Sequence, residues 1–369
     1  MPVFRYASTD SVPVSVFSSS SAHDFDTLVA NQPREADVFY DYAPRLPPAV
    51  TSPDGTLLQG LLALQVTIFP GRGICIGVAN HHAIGDATSI VGFIRDWAST
   101  CKLGVVQNSR PIFERDLIKG PPGLDSIYWN NMKRVPFGKS SPFPLPTNRV
   151  RATFVLDRAR IKKLKDLVVA KFPSFPHLSS FVVTSAYVWT CFAKSLSAGE
   201  ENENRVNDDD DDNEMEFFLF SADIRARLSP PLPESYFGNC LSGGVPKIRH
   251  HELIGPDGFF LAARAIADEI KNKLNGMDKI TEWFENGPKT IRSVLGKRLF
   301  SVSGSARVDL YGADFGLGRA RKVETLSIDG EKYSMSLCKP RDCEGGLEVG
   351  MSLPKEVMDV FVGLFNDGF

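Results

Sequence analysis

LLALQVTIFPGRGICIGVANHHAIGD, residues 61–86, is the stretch from which the rest of the chain can be read. Two apolar-rich segments, Leu61 to Phe69 and Gly73 to Asn80, flank the turn signal Pro70-Gly71-Arg72. The pattern predicts a β-hairpin whose second strand ends at Asn80. From Asp86 onward the period changes. Ile90, Val91, Ile94 and Trp97 recur at helical spacing and form one apolar face. A strand therefore gives way to a helix at His81-His82-Ala83-Ile84-Gly85-Asp86, a junction of the kind that presents a side chain to a cleft.

That junction carries the chemistry. A neutral alcohol is a poor nucleophile, so any reaction in which a hydroxyl attacks needs a base. An imidazole titrating near neutrality suits the task. His82 is the candidate base. Asp86, four residues on, opens the helix, so it is expected to cap the helix and to hold the turn and His82 through the cap or an ion pair. His81 should face the opposite side if the strand continues that far. Two adjacent histidines and an Asp cap also describe a purely structural turn. An HxxxD pattern fixes only two positions, and chance matches are common.

Outward from this stretch, residues 120–147 are rich in Pro, Gly and Ser and lack periodicity, which predicts a long crossover between two domains. The expected division is 1–118, 119–148 and 149–369. Arg151 to Leu156 reads as a strand, and Asp157 caps a basic helix to about Phe172. Lys162, Lys163 and Lys165 on that helix read as a solvated face rather than as phosphate ligands. Ser179 or Ser180 caps a further helix containing Val182, Ala186, Trp189 and Ala193. The acidic run from Glu200 to Glu216, with five aspartates at Asp208 to Asp212, reads as a solvated loop, since blocks of like charge repel. Strand signals resume at Phe217 to Ala222, and a helix is expected from Asp257 to about Leu274. The last third alternates strands and turns before a helix opened by Pro354.

Composition narrows the function classes. The 369 residues are 43% hydrophobic, enough for a large core, and the net charge of −2 gives no footprint for a nucleic-acid partner. No apolar run reaches the roughly 18 residues a membrane helix needs. Met1 to Asp10 lacks a basic segment leading into an apolar one, so a secretory signal is not expected. The six cysteines show no CxxC spacing, so neither a metal site nor a disulfide framework is expected, and a cytosolic location fits.

Two further segments give the HxxxD pattern a context. Asp314-Phe315-Gly316-Leu317-Gly318 is similar to the DFGWG motif of the BAHD acyltransferases, with Leu317 in place of Trp. Tyr236-Phe237-Gly238-Asn239-Cys240 is similar to the YFGNC motif of the branch that acylates anthocyanins and phenolic glucosides. It is preceded by the family-like Asp223-Ile224-Arg225-Ala226-Arg227-Leu228 and Pro230-Pro231-Leu232-Pro233. The order HxxxD, YFGNC, DFGWG is the family's order, and the resemblance runs through essentially the whole chain.

The resemblance implies an α/β fold of the α+β type, with two chloramphenicol-acetyltransferase-like domains, each a mixed sheet with flanking helices, and a site at their interface. It implies direct transfer of an acyl group from acyl-CoA to an acceptor hydroxyl, with His82 as base and no covalent acyl-enzyme. Malonyl-CoA as co-substrate and a sugar hydroxyl of a phenolic or flavonoid glucoside as acceptor are the leading expectation. Hydroxycinnamoyl transfer, or a catalytically silent relative that only binds, are the alternatives. No prosthetic group is expected, and a monomer is. Malonyl selection calls for a cation, an Arg above all, facing the free carboxylate. Ser179 and Ser180 match a Ser-Ser pair in the family's CoA-facing region, and two ordinary cap serines are the competing reading. Asp314 is kept as a second acidic candidate beside the structural reading, a Gly-flanked turn whose Asp bonds backbone. Leu317 bears on local packing more than on chemistry. Family members carry a segment ahead of the part matching Val3 to Val14, so the first sheet is expected to show an exposed apolar surface and an open strand edge, with weak or no transferase activity for the chain as given.

Overall fold

The computed structural model describes residues 3–19, 25–105, 110–118, 123–133, 146–173, 175, 178–200, 214–330 and 333–368. Most of the acidic run, including Asp208 to Asp212, and much of the expected crossover lie outside these residues.

In chain order the strands and helices begin with β1 (Val14–Ser18), α1 (Phe25–Leu28), β2 (Arg34–Glu35), β3 (Val50–Thr51), β4 (Leu57–Leu58), β5 (Leu62–Phe69), β6 (Gly73–Asn80) and α2 (Ala87–Leu103). Next come α3 (Leu124–Met132), β7 (Val150–Leu156), α4 (Arg158–Lys171), α5 (Ser180–Glu200) and β8 (Met215–Asp223). The remainder is β9 (Leu241–Gly244), β10 (Lys247–Arg249), α6 (His250–Ile254), α7 (Gly258–Leu274), α8 (Met277–Val294), β11 (Leu299–Gly304), β12 (Tyr333–Cys338), β13 (Leu347–Leu353) and α9 (Lys355–Asp367).

The hairpin expected from residues 61–80 is β5 and β6, antiparallel from Leu62 opposite Asn80 to Phe69 opposite Gly73. β1 joins it in parallel, giving a small sheet of order β1-β5-β6. All five residues of β1 are exposed, Val16 at 63% and Phe17 at 54%. Among the described residues, no strand pairs with its outer edge.

The large sheet has the order β10-β8-β11-β12-β13-β7-β2, with β9 pairing the far end of β8. β11 is parallel to β8 and β12, and the other pairs are antiparallel, so the sheet is mixed. α5 is its central helix. Val183, Ala186, Val188 and Trp189 are fully buried, and the rings of Trp189 and Phe192 lie against Phe218 and Phe300 of the sheet. Burying an aromatic or aliphatic side chain of this size stabilises by about 1.5–3 kcal/mol, so this face anchors the second half of the chain.

Three expectations need correction. β2 lies within 1–118, yet Arg34 and Glu35 pair with Arg151 and Val150, so a piece of the expected first domain forms an edge of the second sheet. The expected crossover contains a helix, α3, which docks Tyr128 edge-on against Phe284 of α8 at 6.4 Å. The last third, expected to hold only strands and turns before its final helix, also contains α8.

Candidate active site

His81 still belongs to the sheet edge, since its N–H donates to Leu61 O at 2.8 Å. Its Nδ1 then accepts from Ala83 N at 3.1 Å, which turns the chain into a single 3-10 turn, His82–Ile84. His81 is thus spent on the turn. The His82 side chain is exposed, and among the described residues nothing hydrogen-bonds its ring. Its carbonyl, in contrast, accepts from Asn239 Nδ2 at 2.9 Å. The peptide is tethered while the imidazole is left free.

Gly85 follows in extended backbone. A Cβ there would fall 2.8 Å from Ser89 Cβ, so only glycine lets the turn close onto the helix. Asp86, 1% exposed, is the N-cap of α2. Its Oδ1 accepts from Ser89 N at 3.1 Å and from the Ser89 hydroxyl at 3.2 Å, and its Oδ2 accepts from Cys240 N at 2.9 Å.

Asp86 also meets Arg225, which is 3% exposed, in a two-pronged pair. Nη1 donates to Oδ2 at 2.8 Å and Nη2 to Oδ1 at 3.0 Å. Arg225 spends its other donors on the same junction: Asp223 Oδ2 at 3.0 Å, Tyr236 O at 3.1 Å and Gly238 O at 2.9 Å. Burial works against the guanidinium charge, but the carboxylates of Asp86 and Asp223 outweigh it and hold the Arg225 pKa above its usual value. A buried pair survives only when its remaining donors and acceptors are satisfied, and here they are. The Asp223–Arg225 and Tyr236–Cys240 segments therefore lock onto HxxxD from across the chain. Cys240 stays a thiol, pushed up to about 11 by burial first of all.

Asp314 lies elsewhere. Its Oδ1 accepts from Gly316 N and Gly318 N, both at 2.9 Å, and its Oδ2 meets Lys102 Nζ at 2.5 Å. Lys102 first, then the two backbone donors, hold its carboxyl below the usual range. Phe315 sits edge-on to Trp97 of α2 at 4.8 Å. Lys102 is in the last turn of α2 and Asp86 caps its first. At 1.5 Å per residue those 16 positions put the two ends of α2 roughly 24 Å apart, with Asp314 at one and the His82 turn at the other. Asp314 thus makes the Gly-flanked turn of the structural reading and clamps the far end of α2, and among the described residues none of its side-chain bonds reaches the His82 turn, which corrects the expectation of a second acid there. Leu317, at the Trp position of the motif, is 73% exposed.

Ser179 Oγ accepts from Val182 N at 3.2 Å and so caps α5, while Ser180 is the helix's first residue. Phe181 meets Phe220 edge-on at 6.0 Å, and β8 runs on from Phe220 to Asp223 and the Arg225 pair. The start of α5 thus faces the same end of the large sheet as the HxxxD junction. Among the described residues no group of His, Cys, Asp and Glu is arranged to hold a metal ion, and no helix is long and apolar enough to cross a membrane.

Sequence reasoning named His82, Asp86 and the two serines but missed Arg225, Asn239 and Lys102 as partners. Arg225 and Asn239 lie inside the quoted motif segments. Their signal was a polar side chain at a strand end or turn with more donors than its sequence neighbours can satisfy.

A family model described as the Transferase family matches residues 41–367. The malonyl-coenzyme:anthocyanin 5-O-glucoside-6'''-O-malonyltransferase of Salvia splendens is 45% identical over 374 residues, which is 99% of this chain and 76% of that protein. Phenolic glucoside malonyltransferase 1 of Nicotiana tabacum is 42% identical over 378 residues, 100% of this chain and 80% of that protein. In fold, the chain is similar to the crystal structure of vinorine synthase, with a TM-score of 0.67 at 19% identity, over 95% of this chain and 76% of that one. With the three motifs in the family's order and a mixed-sheet fold with flanking helices, the chain belongs to the Transferase family, the BAHD acyltransferases, and is an acyl-transferring enzyme.

Proposed function

We propose that this enzyme moves a malonyl group from malonyl-CoA to a sugar hydroxyl of a phenolic or flavonoid glucoside, with His82 as general base. The observation that carries the reading is the contrast at His82. Its backbone is held by Asn239 and, through Asp86, by Arg225, while its ring is exposed and unengaged. A base must be fixed in place yet free to reach a substrate proton.

In the proposed reaction the imidazole takes the acceptor's O–H proton as that oxygen attacks the thioester carbonyl carbon. The tetrahedral oxyanion collapses, the C–S bond breaks, and the departing CoA thiolate takes the proton from the imidazolium. The product is an ester and CoA–SH, with no acyl group resident on the protein. The nearest thiol in the junction, Cys240, is 4% exposed and held protonated, which disfavours it as a covalent carrier. Asp86 serves by orientation, since among the described residues its carboxylate engages Ser89, Cys240 and Arg225. In this reading Ser179 and Ser180 would receive the CoA arm through helix N–H groups and a hydroxyl; their position at the start of α5 supports it. The malonyl assignment is favoured by the two relatives above, both named as malonyltransferases.

The test is transfer from malonyl-CoA and from a hydroxycinnamoyl-CoA to a panel of aryl and flavonoid glucosides, with intact-protein mass measured after malonyl-CoA alone. Malonyl ester formation on the sugar without a mass increase on the protein supports the reading. Hydroxycinnamoyl preference would transfer the assignment to the other branch, and no turnover with retained CoA binding would point to a silent relative.

A further inference from the structure

We propose that Arg115 is a positioning residue for His82, acting through the Tyr236–Asn239 turn; this rests on the reading of His82 as the base. Arg115 lies on an exposed segment well separated in sequence from all three motifs. That segment docks on the turn by main chain: Ile112 N donates to Ser235 O and Phe237 N donates to Ile112 O, at 2.9 and 2.8 Å. Arg115 Nη1 then donates to the Tyr236 hydroxyl at 2.9 Å and to Phe237 O at 2.5 Å.

Three successive carbonyls of the turn are thereby shared between two arginines. Tyr236 O and Gly238 O accept from the buried Arg225, and Phe237 O, between them, accepts from Arg115. Both guanidinium groups also stack on the Tyr236 ring, at 5.3 Å for Arg115 and 5.9 Å for Arg225. Gly238 makes room for the outer arginine, because a Cβ there would stand 2.6 Å from Arg115 Nη1, and its φ of +156° already disfavours a side chain. The next residue, Asn239, delivers the result: its side-chain amide holds the His82 carbonyl at 2.9 Å.

The two anchors divide the work. Arg225 fixes the buried side of the turn and the Asp86 end of the HxxxD junction. Arg115 fixes the outer side, where Phe237 O and the Tyr236 hydroxyl would otherwise trade a rigid donor for water. Removing Arg115 leaves the buried pair, and so the fold, in place. What changes is the freedom of Asn239 and of the peptide carrying the base. Misplacing a reacting group by about 1 Å costs on the order of a hundredfold in rate, so a loosened tether should cost roughly tenfold or more.

The experiment compares wild type, Arg115→Ala, Arg115→Lys, Asn239→Ala, Arg115→Ala/Asn239→Ala and His82→Ala, with malonyl-CoA and p-nitrophenyl β-glucoside as probes and melting temperature as the control for folding. Arg115→Ala should lower kcat by ~10-fold or more, with the KM for malonyl-CoA changed less than about twofold, and Arg115→Lys should recover part of the loss. Asn239→Ala should reproduce the fall, and the double variant should be no worse than the poorer single one, since both act along one path. Wild-type kcat in Arg115→Ala beside an inactive His82→Ala would overturn the positioning role and leave the base standing. Wild-type turnover in His82→Ala would remove both. Losses that multiply in the double variant, or a change confined to the KM for the glucoside, would also overturn it.

Discussion

Replacing Arg225 with Met keeps most of the side-chain stem but removes the charge and the fork. Asp86 is then left 1% exposed with a buried carboxylate that retains only the Ser89 and Cys240 donors, while Tyr236 O loses the Arg225 donors. Removing one partner of a buried ion pair costs roughly 3–5 kcal/mol. The lower end is appropriate because those other donors remain. For 369 residues at about 2.1 cal/mol/K each, the unfolding entropy is ~0.8 kcal/mol/K, so ~3 kcal/mol corresponds to a Tm lower by ~4 °C. Calorimetry on wild type, Arg225→Met and the double variant Asp86→Asn/Arg225→Met measures it. The double variant should melt above the single one, because an amide in place of the carboxylate leaves no unpaired charge. Steady-state kcat should fall in both. A Tm within about 1 °C of wild type for Arg225→Met, or a double variant melting lower still, would refute the reasoning that this pair clamps the two halves.

Other outcomes follow from the same geometry. Asp86→Asn keeps a capping oxygen and loses the ion pair, whereas Asp86→Ala loses both, so urea unfolding should place Ala about 0.5–2 kcal/mol below Asn. Asp314→Asn should spare most of kcat while His82→Ala does not, because Asp314 sits at the far end of α2. The carboxyl of Asp314 is held below the usual range, so its contact with Lys102 persists at neutral pH and weakens only as pH falls through that depressed value; a pH series of Tm, with Asp314→Asn as the flat reference, reads this out. Among the thiols, exposed Cys101 should alkylate first at pH 8. With Cys240 pushed up to about 11 and Cys191 up to about 12, mainly by burial, at most about one Cys240 in a thousand is thiolate there, and both should label only on unfolding, as peptide mass mapping would show.

Features that depend on neighbours in sequence were legible in the chain. The β5–β6 hairpin follows from two apolar stretches around a Pro-Gly turn, and the start of α2 from Asp86 and the spacing of Ile90 to Trp97. The Asp157 and Ser179 caps and the Pro354 start of α9 are likewise local, and each is observed. Features set by distant partners were not. Asp86 and Arg225 are 139 positions apart, and no local pattern assigns one to the other. For Asp314 the chain suggested a Gly-flanked turn and kept a second acid as candidate; the bonds from Gly316 and Gly318 are those of the turn, while the partner that docks it, Lys102, is 212 positions away. α8 was hidden by Gly287-Pro288, which reads as a break. Yet Ile280, Phe284, Gly287, Ile291 and Val294 keep helical spacing through it, and Gly287 lies where a Cβ would fall 2.7 Å from the Trp283 ring. β2 is two residues long, too short for any periodicity, and exists because β7 offers it an edge.

The central claim is that His82 acts as base in a direct transfer. It is tested most directly by the turnover of His82→Ala with malonyl-CoA and an aryl glucoside, alongside calorimetric binding of malonyl-CoA. Loss of general-base catalysis predicts a fall in kcat of about a hundred- to ten-thousandfold, with malonyl-CoA affinity largely retained, because the base acts on the acceptor's proton and not on CoA. His81→Ala, which removes a turn contact and not the base, should be far milder. Near-wild-type turnover by His82→Ala would contradict the account.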